Sequence, residues 1–129
     1  MIRQKNDKSM KKNLIVDLSF DFALEVIKLY KTVISQNEYV ISKQLLKSAT
    51  SIGANVNEAQ AGQTRKDFTA KMAIASKEAR ETHYWLMLIK RSELVDFDNK
   101  EHVINELLDK LLSITNILTK IVKSSITKC

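Results

Sequence analysis

The sequence contains no proline, only two glycines and only one cysteine among its 129 residues. An all-β fold needs many tight turns, and this chain has almost no residues from which to build them. The apolar runs are short and interrupted by charges, so no segment is predicted to span a membrane. Asp17 and Asp21 interrupt the first apolar stretch, so a secretory signal is not expected either. Cys129 has no intrachain partner for a disulfide, which favours a reducing, cytoplasmic setting.

Leu, Ile, Lys, Ala and Glu together account for 61 of the 129 residues, a composition that favours helix. A chain of this length fits one domain with a single modest core. Its net charge of +6 is unevenly distributed, because residues 1–12 carry five bases and one acid. The other 117 residues carry sixteen bases and fourteen acids. Residues 1–12 are therefore predicted to form a flexible basic tail, and residues 13–129 to form the folded domain.

Apolar and small residues recur at alternating intervals of four and three, the spacing of one face of an α-helix. The longest such stripe runs from Thr64 to Lys90, where Thr64 and Asp67 resemble a capping box. Its members are Phe68, Met72, Ala75, Ala79, Thr82, Leu86 and Ile89. A second helix is predicted from Ser42, as its cap, to Gly62, as a left-handed C-terminal cap. Its stripe is Leu45, Ala49, Ile52, Val56 and Ala59.

Two more helices are predicted at the ends of the domain. The first starts near Leu14–Ser19, and its apolar face comprises Phe22, Ala23, Val26, Ile27, Tyr30, Val33 and Ile34. The last starts after a cap at Asp98 or Asn99 and has a wide apolar face that indicates burial on two sides. That face comprises Val103, Ile104, Leu107, Leu108, Leu111, Leu112, Ile114, Ile117, Leu118, Ile121 and Val122. Four long helices with short loops predict an all-α, antiparallel up-down-up-down four-helix bundle.

No strong catalytic or metal-binding motif is present. Di-iron bundles need Glu-x-x-His on two helices, but His83 follows Glu81 by two residues and His102 follows Glu101 directly. No glycine-rich phosphate loop occurs, so neither a metal nor a cofactor is expected. Acid–base chemistry is a distant alternative for the carboxylates near the centre of the predicted bundle. Polar pairing within or between subunits is preferred for Asn55, Glu58, Lys77, Glu78 and Glu81.

Two features point to binding rather than catalysis. Bases that could contact phosphates occur at two helix starts, and the predicted contacts are Lys43, Lys47, Arg65 and Lys66. Tyr84 and Trp85 lie on adjacent faces of one helix, so they cannot both enter one narrow core stripe. A core role and a subunit interface remain equal alternatives for this pair.

A dense series of residues within Ser42–Leu88 resembles the four-helix-bundle proteins that are also known as 23S rRNA intervening-sequence proteins. The residues that carry the resemblance are Ser51–Asn55, Glu58-Ala59, Asp67-Phe68, Lys71-Met72, Ile74-Ala75, Lys77–Thr82 and Tyr84–Leu86. The resemblance implies a closed antiparallel bundle, a homopentameric ring in several relatives, and a link to the accessory subunit of diversity-generating retroelements. That subunit binds nucleic acid and a reverse transcriptase.

Together these observations favour a non-enzymatic, self-assembling helical scaffold associated with nucleic acid. The partners implied are other copies of the chain, RNA or DNA through its phosphates, and a protein such as a reverse transcriptase. The alternative is a protein–protein interaction module that does not bind nucleic acid.

Overall fold

A computed structural model describes residues 7–127 and contains four α-helices: α1 (Asp7–Ile34), α2 (Val40–Gln60), α3 (Arg65–Arg91) and α4 (Lys100–Thr127). No strand occurs in that part of the chain. Each helix packs against the next, and α4 packs back against α1. Because the connections are short, consecutive helices run in opposite directions. The predicted all-α, up-down-up-down four-helix bundle is confirmed.

The predicted stripes of α2, α3 and α4 form most of the core, and α1 contributes the rest. Every predicted member on α2 is buried, as is every member on α3 from Met72 onward, while Phe68 is half-buried. On α4 five members of the predicted face are buried, namely Ile104, Leu107, Leu111, Ile114 and Leu118. Ile121 is half-buried, and Leu112, on the other side of that wide face, is 59% exposed. The alternating spacing was therefore sufficient to identify the inward face of these three helices.

The prediction for α1 was partly wrong. Of its predicted apolar face only Phe22, Val26 and Val33 are buried, and Ile27 is 39% exposed. The stripe that faces the core has the same alternating spacing but a different membership: Ile15, Ser19, Phe22, Val26, Leu29 and Val33. The helix also begins at Asp7, before the predicted start, because residues 7–13 contain no helix-breaking residue. The rest of the predicted tail, residues 1–6, lies outside the described part of the chain.

Helix α2 begins at Val40, and Ser42 is a buried residue of its first turn rather than its cap. The capping group is the side chain of Glu38. Its carboxylate accepts hydrogen bonds from the backbone N–H groups of Val40, Ile41 and Ser42 at 2.8–3.1 Å. These are donors that a helix start leaves without intrahelical partners. A glutamate two residues before the helix therefore performs the role that was predicted for Ser42.

The connection between α2 and α3 also differs from the prediction at one end. Gly62 does not have a positive φ, and the C-cap residue that follows the end of α2 at Gln60 is Ala61, with a φ of −92°. The N–H groups of Ala61 and Gly62 reach back only three residues, to Glu58 and Ala59, which tightens the last turn. At the other end the prediction is confirmed, because the Thr64 side chain accepts a hydrogen bond from the Asp67 N–H.

The connection between α3 and α4 ends at Asn99, which has a φ of 61° and precedes the first residue of α4. Its carbonyl accepts from the Val103 N–H at 2.9 Å. Nearby, the Lys100 ammonium donates to the carbonyls of Ser92 and Val95 at 2.7 and 2.6 Å, closing this loop on itself. Gln36 joins it to the α1–α2 connection by exchanging hydrogen bonds with the backbone of Asp96.

One polar contact and one backbone contact show the relative height of α1, α2 and α3. The hydroxyls of Ser48 on α2 and Thr82 on α3 lie 2.9 Å apart in the core. Gly53 meets α1, since a Cβ there would lie 3.4 Å from the Ser19 carbonyl oxygen. Gly53 therefore lies where α2 and α1 are in contact, and a methyl group there would make ordinary van der Waals contact with α1.

Candidate nucleic-acid interface

The four predicted phosphate-contact residues form two separate pairs. All four side chains are exposed. Lys43 and Lys47 lie in the first two turns of α2, whereas Arg65 and Lys66 begin α3, beside the end of α2. Lys43 is 17 residues from Gln60, or about 25 Å along the helix axis. The structure therefore places the two pairs toward opposite ends of the bundle.

The two ends of the bundle also differ in net charge. We define the terminal half of the bundle as residues 7–20, 50–78 and 114–127, which contain the N-termini of α1 and α3 and the C-termini of α2 and α4. The terminal half carries nine bases and five acids. The opposite half, residues 21–49 and 79–113, carries nine bases and ten acids. Arg65 and Lys66 therefore lie in a basic half, whereas Lys43 and Lys47 lie in a nearly neutral one.

Other bases of the terminal half were not predicted as phosphate contacts. Those on α3 and α4 are Lys71, Lys77, Lys120 and Lys123, and the sequence of α1 adds Lys8, Lys11 and Lys12. These bases could have been identified from the sequence. Consecutive helices run in opposite directions, so the first half of one helix lies beside the second half of the next. Summing the charge over alternate half-helices would have separated a basic half from a neutral one. Residues 1–6 and 128–129, which lie outside the described part of the chain, contain three bases and no acid.

The residues predicted to pair as polar groups are dispersed along the α2–α3 surface. The Asn55 amide donates to the Ser51 carbonyl of its own helix at 2.8 Å. Glu58, Lys77 and Glu81 are exposed, and Glu78 is half-buried. Burial raises the pKa of the Glu78 carboxyl, and the nearby Glu81 carboxylate raises it further. Glu78 and Glu81 therefore form a like-charge pair, which the neighbouring Lys77 and Lys47 only partly offset.

Tyr84 and Trp85 occupy two different environments. Tyr84 is 57% exposed, and Trp85 is half-buried against the core. Their rings meet edge-to-face, with centroids 5.1 Å apart. The Trp85 Nε1–H is buried and has no hydrogen-bond partner within the described chain. The pair therefore extends from the edge of the core, at Trp85, to the exposed surface, at Tyr84.

Two of the concavities on the surface of the described residues involve α3 and α4. One, of about 870 Å³, lies where α3 passes into α4, and its lining mixes Lys90 and Arg91 with Asp96 and Glu101. The other, of about 340 Å³, is a groove between α3 and α4 with a floor of Ala79, Leu108 and Leu111. Within residues 7–127 no three His, Cys, Asp or Glu side chains are placed to hold a metal ion. Nor is any helix there long and apolar enough to cross a membrane.

Comparison with known proteins identifies the family to which this chain belongs. The family model of the 23S rRNA-intervening sequence protein matches residues 11–120, so the chain belongs to that family. It is also similar to a crystal structure from Bacteroides thetaiotaomicron, described as a protein of unknown function from the S23 ribosomal protein family. The two chains are 43% identical, the match covers 88% of this chain and 98% of the other, and the TM-score is 0.76. No curated protein matches this chain. Neither description names a catalytic activity.

Proposed function

We propose that this protein is a non-enzymatic cytoplasmic scaffold that binds the phosphate backbone of nucleic acid through its terminal half. The observation that carries the proposal is the concentration of net positive charge in that half. Phosphate contacts by lysine and arginine supply most of the affinity of sequence-independent binding. Arg65 and Lys66 also stand at the N-terminus of α3, where the helix dipole adds positive potential.

Self-assembly is the second part of the proposal. A single terminal half carries a modest net charge, and a ring with parallel subunit axes would place several such halves side by side. Their fields would then add over one face of the assembly. The resemblance to ring-forming relatives makes five the expected number of subunits. The family's name refers to 23S rRNA, so RNA is the first nucleic acid to use as a probe.

A salt titration with two matched pairs of variants tests the phosphate surface. Arg65→Gln with Lys66→Gln removes two charges from the terminal half, and Lys43→Gln with Lys47→Gln removes two from the opposite half. We expect the first pair to weaken binding to duplex and single-stranded RNA. It should also reduce the slope of log affinity against log salt by about 1.4–1.8, at roughly 0.7–0.9 for each of the two lost phosphate contacts.

The control pair should leave both the affinity and the slope close to those of the full chain. Equal effects of the two pairs would contradict a role specific to the terminal half. Absence of salt-sensitive binding to RNA and DNA would reject the nucleic-acid function altogether.

A protein–protein interaction module is the second candidate, and large apolar side chains on the outside of the bundle favour it. Phe20, Leu94 and Leu112 are each more than half exposed. A reverse transcriptase is the kind of partner that the family resemblance implies. This function predicts binding that persists in high salt, because burial of apolar surface is not screened by ions.

A further inference from the structure

Bases and acids are distributed unequally among the helices of the terminal half. The part of α2 in this half, residues 50–60, contains Glu58 and no base. Residues 68–77 of α3 contain two bases and no acid. Residues 110–127 of α4 contain three bases and no acid. Apart from α1, the excess of bases in the terminal half therefore lies on α3 and α4.

The two acid-free segments lie side by side. The groove between α3 and α4 is lined by Ala79 and Arg80 from one helix and by Leu111 and Leu112 from the other. The helices are antiparallel, so a step back along α3 corresponds to a step forward along α4, at about 1.5 Å per residue. Counted from the groove, residues 68–77 of α3 lie beside residues 114–123 of α4.

Four lysines of these helices point away from the core. Lys77 lies midway between the buried Ala75 and Ala79, and Lys120 lies two residues after the buried Leu118. Two residues are more than half a helical turn, so both lysines are directed outward. We define the α3–α4 basic face as the exposed lysines on this outward side, Lys66, Lys77, Lys120 and Lys123.

The basic face is broad and has no bulky side chain within it. Lys66 and Lys77 are about 16 Å apart along α3. On the antiparallel count, Lys123 lies within about 3 Å of the height of Lys66, and Lys120 lies about midway between Lys66 and Lys77. The exposed side chains among the four lysines are small, namely Ala70, Ala73, Asn116 and Thr119. A nucleic-acid backbone can therefore approach all four lysines.

The basic face has no aromatic side chain on which a base could stack. Phe68 is the one aromatic residue in 65–78 and 114–127, and it is half-buried against the core. Tyr84 is exposed, but it lies seven residues beyond Lys77, about 10 Å along α3, and its ring packs on Trp85. Proteins that bind unpaired strands combine a basic groove with aromatic stacking platforms. The basic face therefore supplies contacts to phosphates only.

For such a face, the density of phosphates decides between paired and unpaired nucleic acid. A double helix of DNA carries one negative charge per about 1.7 Å of its axis. Each phosphate contact contributes about 0.9 to the salt slope on duplex DNA and about 0.7 on a single strand. Four contacts therefore differ by about 0.8 in slope, which favours the duplex by about sixfold when salt falls from about 1 M to about 0.1 M.

We propose that the α3–α4 basic face binds double-helical nucleic acid through its phosphates, in preference to unpaired strands. The inference rests on the nucleic-acid binding in the proposed function and names the face and the class of substrate. Contacts to phosphates alone carry no direct sequence information, so binding is independent of base sequence.

The test compares two DNA probes with similar numbers of phosphates, a duplex of about 20 base pairs and an oligothymidine strand of about 40 nucleotides. Affinities are measured over a range of salt concentrations. The full chain should bind the duplex about sixfold more tightly than the strand at about 0.1 M salt. Lys77→Gln with Lys120→Gln should weaken duplex binding and reduce its salt slope by about 1.8, because two phosphate contacts are lost.

Lys28→Gln with Lys31→Gln is the matched control, since both lysines are exposed on α1 in the opposite half. It removes the same charge and should leave the affinity for the duplex close to that of the full chain. Tyr84→Leu removes the exposed ring beyond the basic face and should leave both affinities unchanged. All five exchanged residues are exposed, so the variants are expected to keep their helical circular dichroism.

The outcomes separate this inference from the proposed function. A strand that binds as tightly as the duplex, or that loses affinity in Tyr84→Leu, would overturn the preference for the double helix. Equal effects of the two lysine pairs would overturn the placement of the contact on α3 and α4. Binding to RNA without binding to the DNA duplex would contradict a face that contacts phosphates only. The proposed function survives these results, and it falls together with the inference if no salt-sensitive binding to RNA or DNA occurs.

Discussion

At the scale of single residues, Glu38 is the clearest case of a side chain that determines local structure. Burial alone would raise the pKa of its carboxyl, but hydrogen bonds from Ile41, Ser42 and Val40 outweigh burial and lower it below its ordinary value of 4.5. The folded state therefore favours the ionised form. This contribution to stability is present above a pH of about 4.5 and is lost as the pH falls through the lowered folded-state pKa.

The first prediction concerns the replacement Glu38→Gln. We expect it to lower the free energy of unfolding at neutral pH by about 1 kcal/mol, the usual cost of losing a helix cap. The difference from the natural chain should shrink at an acidic pH below the lowered folded-state pKa, because the carboxyl is then protonated in both states. Urea unfolding at the two pH values measures it. Glu58→Gln, at an exposed position on α2, is the control, and an equal difference at both pH values would contradict the ionised cap.

The hydroxyl pair of Ser48 and Thr82 illustrates a second residue-scale effect. Each hydroxyl has one proton, so only one of them donates across the 2.9 Å between their oxygens. The other can donate to a carbonyl of its own helix, either Leu45 at 3.2 Å or Glu78 at 2.8 Å. Both polar groups are thus satisfied within the core, where an unpaired hydroxyl would be costly.

At the scale of helices and their connections, the two glycines have different surroundings. Gly53 lies in the interior of α2, and the Ser19 atoms near it are at ordinary contact distance. A Cβ on Gly62 would lie 3.1 Å from the Ala59 carbonyl oxygen and 3.2 Å from the Phe68 nitrogen. Both of these are backbone atoms, one at the end of α2 and one at the start of α3. Gly62 therefore allows the two helices to approach closely.

The second prediction is that alanine has opposite effects at the two positions. Gly53→Ala should raise the free energy of unfolding by about 0.5–1 kcal/mol, because glycine is a poor helix former and the added methyl group fits. Gly62→Ala should lower it by about 1 kcal/mol, because backbone atoms must move to make room. Chemical denaturation of both variants measures the two changes. The same sign at both positions would contradict this account.

At the scale of the whole molecule, the excess of basic side chains in the terminal half makes these side chains repel one another. Nine bases and five acids occupy this half, while the opposite half is close to balanced. Salt shortens the range of such repulsion, from about 30 Å in 10 mM salt to about 3 Å in 1 M. Concentrated like charge therefore costs stability at low ionic strength.

The third prediction follows for thermal unfolding without nucleic acid. Raising the salt concentration from about 20 mM to about 500 mM should raise the Tm, because the repulsion is screened. The increase should be smaller in the variant with Arg65→Gln and Lys66→Gln than in the variant with Lys43→Gln and Lys47→Gln. Differential scanning calorimetry measures it. Equal increases in both variants would show that the terminal half is not the source of the repulsion.

Much of the fold could be predicted from the sequence because the buried stripes of α2, α3 and α4 keep one regular spacing. Helix α1 is apolar on its outer face as well, at Phe20, Leu24 and Ile27, and this obscured which residues face the core. Helix starts were less predictable, since Glu38 acts through three backbone N–H groups and glutamate is not a common capping residue. The phosphate contacts were predicted from local sequence, whereas the basic half depends on which helix ends lie together.

The pairing of helices bears on how the chain folds. Three of the four packed interfaces join helices that follow one another in sequence, and α2 with α3 is the most extensive. The contact of α1 with α4 is the least extensive, and it alone brings together segments separated by residues 35–99. Local contacts form at a low entropic cost, so the α2–α3 hairpin is the expected folding nucleus. Docking of α1 against α4 then completes the bundle last, and in the native state this seam should open first, with the fastest amide hydrogen exchange.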